Sequence, residues 1–205
     1  MPLDPAVLRS MIAAAAERLI ANASPLTELD QAIGDGDHGI NMKRGCAQVL
    51  ADLDSIVEKP TGEALKAVGM ALVMKVGGAS GPLYGSLFMG MGKALGDRQP
   101  TMAILPEMFA AGVEAVAARG KSAVGEKTML DVLGPVLGAM RAGGPGLGVR
   151  LREAAARGAV ATIPMRATKG RAAFLGERSV GHMDPGARSS EIIVEAVSPF
   201  LDEHA

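Results

Sequence analysis

LDQAIGDGDHGINMKRG, residues 29–45, decides between two kinds of fold. Within it, Gly34 to Gly39 spells G-x-G-x-x-G. After a β-strand, that spelling would mark a dinucleotide-binding α/β fold whose pyrophosphate rests on bare backbone N–H groups. No alternating apolar run precedes it here, and Asp35 and Asp37 would meet the phosphate with like charge. Read instead as a calcium loop from Asp35, its sixth position is Ile40 where glycine is required and its twelfth is Cys46 where glutamate is required. What remains is Asp30, Asp35 and Asp37, three hard oxygen donors brought together by the turn residues Gly34 and Gly36. Oxygen-only donors suit Mg²⁺ and argue against zinc. Taken alone, the loop reads equally as an Mg²⁺ site or as a solvated acidic turn that caps the next helix.

Outward from this loop the periodicity is helical. Asp4-Pro5 opens a helix to about Ala23 with Leu8, Ile12, Ala15 and Leu19 on one face. A second is predicted from His38 to Ile56 and a third from a Thr61 cap through Leu65, Val68, Leu72 and Val76. Pro82 opens a fourth that stops at Gly96, and the fifth covers Thr101 to Arg119. The sixth runs from Lys127 to Arg141, with Pro135 inside it. Leu147 to Thr162 is the seventh, and the last follows Ser189 with Ile193, Val197, Phe200 and Leu201 in register. The expected fold is all-α: eight helices in a single domain over residues 1–205.

Composition agrees. Aromatics make up 2% of 205 residues and tryptophan is absent, so sheet formers are scarce, while 13 methionines fall mostly at core-facing helical spacings. A net charge of −1 leaves no basic footprint for nucleic acid or an anionic membrane surface. No apolar stretch approaches the length of a membrane helix. The single Cys46 excludes an internal disulfide and points to the cytoplasm. The stretch from Met11 to Ala23 imitates a signal peptide, but Glu17 and Arg18 interrupt it and Asp4 spoils its start.

Two further loops carry chemistry. GGASGP, Gly77 to Pro82, ends one helix and starts another, giving a helix N-terminus whose free N–H groups, with the Ser80 hydroxyl, can hold a phosphate. In isolation it reads better as an ordinary helix–helix turn. The segment from Lys169 to Ala187 combines Lys169, Arg171, Arg178 and His182 with the turn Asp184-Pro185-Gly186, a basic stretch able to close over an anion. Gly120-Lys121-Ser122 imitates the end of a P-loop, but Ala115 stands where the first glycine belongs. An Mg²⁺ cage, a helix N-terminus and a basic lid together form the set that holds a nucleotide polyphosphate.

IGDGDHGINM (residues 33–42), GGASGPLYG (77–85), GEKTMLD (125–131) and GERSVGHMDPGA (176–187) occur in order and at the distances of one family. With them the chain resembles, end to end, the nucleotide-binding L subunit of bacterial dihydroxyacetone kinase. Met183 departs from the family's usual glutamine and Glu126 from its more frequent aspartate. The resemblance implies a barrel of about eight antiparallel helices with ADP or ATP bound at one end through two Mg²⁺ ions. It implies Asp30, Asp35 and Asp37 as metal ligands. His38, Gly39, Ile40, Asn41, Ala79 and Ser80 would contact the nucleotide, Gly120 and Met129 would line the adenine side, and Arg171, Asp184, Pro185 and Gly186 would close over it.

The resemblance also implies partners. Dihydroxyacetone, or a related triose or tetrose, would be held by a separate kinase subunit that supplies the acid–base residues. With only His38, His182 and His204, this chain is assigned no general base, and Arg171 is its candidate transition-state stabiliser. In phosphoenolpyruvate-dependent systems ADP stays bound and is rephosphorylated by a phosphohistidine carrier protein; in ATP-dependent relatives it exchanges. A regulatory module docking on a transcription factor is the rival reading, and whether copies pair as a homodimer is left open by the sequence.

Overall fold

The computed structural model describes residues 4–202, so His204 lies outside the described residues. Ten α-helices are present: α1 (Pro5–Ala21), α2 (Ala23–Ile33), α3 (His38–Ala51), α4 (Leu53–Val57), α5 (Thr61–Lys75), α6 (Ser80–Leu95), α7 (Leu105–Gly120), α8 (Leu130–Ala142), α9 (Leu147–Ala161) and α10 (Pro185–Asp202). A 3₁₀ segment, Arg171–Ser179, precedes α10, and no strand occurs among the described residues.

Eight of the helices close a ring. In order of contact it runs α1, α3, α5, α6, α7, α8, α9, α10 and back to α1. The remaining two are accessories: α2 lies against α3 and α10, and α4 joins α1 to α5. Each stave turns its apolar stripe inward, so Leu8, Leu19, Met42, Val49, Val68, Leu72, Leu87, Val136, Leu151 and Ile192 share one core. That core encloses an apolar cavity of about 170 Å³. Cys46 is buried in it, and burial pushes the thiol up to about 12. No described helix is long and apolar enough to cross a membrane.

The sequence expectations hold for the staves and differ at their ends. Asp4 does cap α1, accepting from Ala6 N–H at 2.7 Å with Pro5 as first helical residue. Gly96, at φ 56°, stops α6 as expected. Thr61 is not a cap: Pro60 holds that position, and no side chain bonds the first turn of α5. The predicted His38–Ile56 helix breaks at Asp52, whose carboxylate accepts from Gln48 Nε2 at 2.9 Å. The accessory α2 was not expected; Leu26, Asp30 and Ile33 form its buried face.

Alternate staves run in opposite directions, so one end of the ring gathers the N-termini of α3, α6, α8 and α10 with the C-termini of α5, α7 and α9. Glycines let neighbouring staves approach to backbone contact. A Cβ on Gly69 of α5 would lie 2.7 Å from Gly85 O of α6, and one on Gly90 of α6 would lie 2.9 Å from Ala111 O of α7. Gly69→Val should therefore force α5 from α6 and cost about 1–3 kcal/mol. The cost is expected as a lower urea midpoint at unchanged m-value.

Candidate functional site

A pocket of about 600 Å³ opens at the end where those N-termini gather. On one wall the three acidic residues come together, with one carboxylate oxygen each from Asp30, Asp35 and Asp37 within 4.8 Å of one another. The turn between α2 and α3 builds this cluster. Asp30, buried on the last turns of α2, accepts from Asp37 N–H at 2.8 Å and His38 N–H at 3.0 Å through Oδ2. One carboxylate thus caps α3 and folds the loop back on itself. Gly34 passes so close to Asp30 Oδ1 that a Cβ has no room, and Gly36 takes the left-handed φ of 75°. Arg171 Nε, on the 3₁₀ segment packed beside α2, reaches Asp35 Oδ2 at 2.9 Å and supplies positive charge there.

The second wall is the start of α6. Ala79 precedes the helix and Ser80 and Gly81 are its first residues, so their N–H groups have no intrahelical acceptor. Pro82 is a third-position residue, not the first as the sequence suggested. His38 leads from the acidic loop to this helix: its Nδ1 lies 2.9 Å from Ser80 Oγ and its Nε2 lies 2.9 Å from Ser189 Oγ on α10. Burial lowers the His38 pKa against the opposing pull of Asp30 and Asp37.

The third wall holds Gly120, Met129 and the turn Asp184, Pro185, Gly186, together with Leu83 and Val116. Of the nucleotide contacts expected from the sequence, His38, Ala79, Ser80, Gly120, Met129, Arg171, Asp184, Pro185 and Gly186 all line the pocket. Gly39, Ile40 and Asn41 do not. Gly39 packs its bare face on Ala23 O and Thr27, Ile40 is exposed, and Asn41 Oδ1 accepts from Arg44 Nη2 at 2.9 Å.

Lys127 and Ser189 were missed by sequence reasoning. The sequence reads Lys127 as the first residue of a helix, but it precedes α8, carries a left-handed φ of 61° and is 2% exposed. Its Nζ donates to Thr162 O at 2.6 Å and to His182 O. Thr162 Oγ1 in turn accepts from Asp184 N–H at 3.0 Å. Lys127 therefore ties the Met129 wall to the Asp184 turn. A non-glycine residue held at positive φ is the local strain that sites accumulate, and a Gly-Glu-Lys-Thr run between two helices was its only sequence signal.

The basic segment is also more fixed than a free lid. Ser179 Oγ accepts from Ala167 N–H at 2.9 Å and Gly181 N–H donates to Ile163 O at 2.8 Å. Of its four basic residues, Lys169 and Arg171 line the pocket, while Arg178 and His182 are exposed outside it. Met183 packs on the core, which accounts for an apolar residue at that position.

Residues 32–199 match the family described as DAK2 domain. The chain is 45% identical over 181 residues to the "PEP-dependent dihydroxyacetone kinase 1, ADP-binding subunit DhaL" of Listeria innocua, covering 88% of this chain and 89% of that protein. It is 44% identical over 180 residues to the corresponding DhaL subunit of Escherichia coli, covering 84% of this chain and 86% of that one. The dihydroxyacetone kinase of C. freundii, solved in complex with AMP-PNP and Mg²⁺, shares the fold at a TM-score of 0.79 with 23% identity, over 100% of this chain and 35% of that one. The chain belongs to the DAK2 domain family, in its DhaL branch of kinase subunits that act with an alcohol substrate.

Burial gives Asp184 an unusual titration. Its carboxyl is pushed up to about 7, chiefly by burial and further by Asp131 and Asp30, with Ala187 N–H and Lys127 opposing. Between the ordinary 3.8 and about 7, the folded chain holds a proton that the unfolded chain has lost, so stability falls as pH rises through that window. In metal-free protein, Asp184→Asn should remove this slope. Melting curves from pH 4.5 to 7.5 are expected to decline more steeply for the wild type than for the variant.

Proposed function

We propose that the chain binds ADP or ATP with Mg²⁺ in this pocket, as the nucleotide subunit of a two-component dihydroxyacetone kinase. The observation carrying this reading is the opposition of two walls: clustered carboxylates of Asp30, Asp35 and Asp37 face a helix N-terminus across one pocket. The first wall selects a cation and the second an anion, and a metal-bound polyphosphate satisfies both. The names of the L. innocua and E. coli relatives, ADP-binding subunits of phosphoenolpyruvate-dependent kinases, support the same assignment.

The acidic cluster fits Mg²⁺ because its donors are all carboxylate oxygens and the loop already holds them in reach of one another. Asp30, Asp35 and Asp37 would hold two ions, which would neutralise charge between carboxylates and phosphates. The N–H groups of Ser80 and Gly81 and the Ser80 hydroxyl would hold phosphate oxygens, and Met129, Leu83 and Val116 would form the apolar wall for the adenine. Arg171 would leave Asp35 for the phosphate undergoing transfer, where its planar fork strengthens as charge builds.

Both ring nitrogens of His38 are engaged and His182 stands outside the pocket, so we assign no general base to this chain. The substrate, dihydroxyacetone in this reading, would be held by a partner subunit in the cytoplasm. ADP would serve as a resident coenzyme recharged by a phosphohistidine carrier protein.

Asp35→Asn is the direct test. Calorimetry should show Mg-ADP binding to the wild type and none to the variant, while circular dichroism shows both folded. Retained binding in the variant would remove the metal-cage reading. Ligand at a thousandfold excess over Kd adds about 4 kcal/mol of stability. EDTA should accordingly lower the melting temperature of nucleotide-loaded protein by several degrees. Arg171→Ala should cut turnover with the partner subunit more than ADP affinity, and Arg171→Lys should restore it only in part.

A further inference from the structure

Lys169, Gly170 and Arg171 are consecutive, line the pocket and reach two of its walls. Lys169 Nζ donates to Lys121 O at 2.6 Å and lies 3.5 Å from Glu126 Oε1, both on the connection between α7 and α8. Arg171 Nε meets Asp35 at the acidic turn. Gly170 turns the chain between them at φ 62° and ψ −161°, a conformation that glycine alone adopts without strain. Nothing lies within 4 Å of the place a Cβ would take there, so the requirement is one of backbone conformation and not of space. The tripeptide thereby ties the wall of Gly120 and Met129 to the wall of the three carboxylates.

The two ends of the tripeptide are held by different means. Lys121 is the C-cap of α7, at a left-handed φ of 47°, and the negative end of the helix dipole attracts the Lys169 ammonium. Glu126 adds a full negative charge, and its second oxygen, Oε2, accepts from Ala123 N–H at 2.7 Å. Beside it, Thr168 Oγ1 donates to Glu126 O at 3.5 Å. None of these partners belongs to the acidic cluster, so they stay in place whatever the cluster holds. Arg171 is held more loosely at its head: its side chain is 73% exposed, and its ion pair is with Asp35. With Asp35 committed to a metal, as proposed above, Arg171 loses that partner. The anchor of Lys169 two residues away, with the packing of the 3₁₀ segment on α2, then keeps the Arg171 backbone beside the pocket.

We propose that Lys169 is a positioning residue: anchored on the end of α7, it keeps Arg171 at the phosphate end of the pocket once Asp35 has released it. The role rests on the nucleotide reading above, since the phosphate is what Arg171 then meets. Lys169 directs its ammonium at Lys121 O and Glu126 and acts only through Arg171.

A double-variant cycle on the full chain, with the substrate-holding subunit added, tests it. Lys169→Met keeps the aliphatic stem and removes the ammonium. It should lower turnover roughly ten-fold, the worth of one hydrogen bond to a charged group, with a smaller change in Mg-ADP affinity by calorimetry. In the Arg171→Ala background, Lys169→Met should change turnover no further. Additive losses would make Lys169 merely structural and overturn the proposal. A loss of affinity larger than the loss of turnover would make it a direct ligand contact and overturn the proposal too. Ligand-free protein gives a second readout: amide hydrogen exchange over residues 168–172 should be faster in Lys169→Met than in the wild type. Unchanged exchange would remove the anchor even if turnover falls. A wild type that binds no Mg-ADP would instead sink the nucleotide reading, with the exchange still deciding the anchor.

Discussion

Three carboxylates within 4.8 Å of one another repel, and the end of the ring that carries them is arranged around that repulsion. Asp30 offsets part of it by accepting two main-chain N–H groups from the first turn of α3, a charge-assisted pair that also caps that helix. Arg171 offsets a further part by bonding Asp35 from the 3₁₀ segment beside α2. Because Asp30 sits on α2 and its partners on α3, the acidic loop cannot open without freeing the start of a stave. The accessory helix α2, outside the ring, is therefore what fixes the chemistry at its rim.

Beyond the acidic loop, the pocket is built from connections between staves. Lys127 joins the start of α8 to the end of α9 and to the turn before α10, and His38 joins the start of α3 to the starts of α6 and α10. Each is a buried polar group satisfied by partners on separate elements. Moving any one stave end would leave some of those groups unpaired in a low-dielectric interior, which is costly. The pocket's walls are thus set before any ligand arrives.

What the sequence made legible was whatever is encoded locally. Asp30, Asp35 and Asp37 are separated by few residues and punctuated by glycine, so their convergence could be read from spacing; the eight staves could be read from 3.6-residue periodicity. Legibility failed where the cause is distant or weakly patterned. Ser189 meets His38 across 151 positions and Ser80 meets it across 42, separations at which spacing carries no information. Lys127 reads as helical from its neighbours, whereas it stands before α8 at positive φ with its ammonium bonded to carbonyls far along the chain. Accessory α2 is hidden in the sequence because it is 11 residues long and opens on Ala-Ser-Pro, which reads as a turn. The break at Asp52 has no glycine or proline to announce it.

The parity of the ring has a topological consequence. An even number of alternating staves brings the first and last of them, α1 and α10, side by side and pointing opposite ways. With the N-terminus of α10 at the pocket, its C-terminal residue Asp202 and the opening residue Pro5 of α1 both leave on the far side. A polypeptide joined at either point would extend away from the pocket. The same architecture is therefore portable: it can stand as a separate subunit or be spliced into a longer chain, as in the C. freundii kinase where it accounts for 35% of the length, without rebuilding the mouth of the pocket.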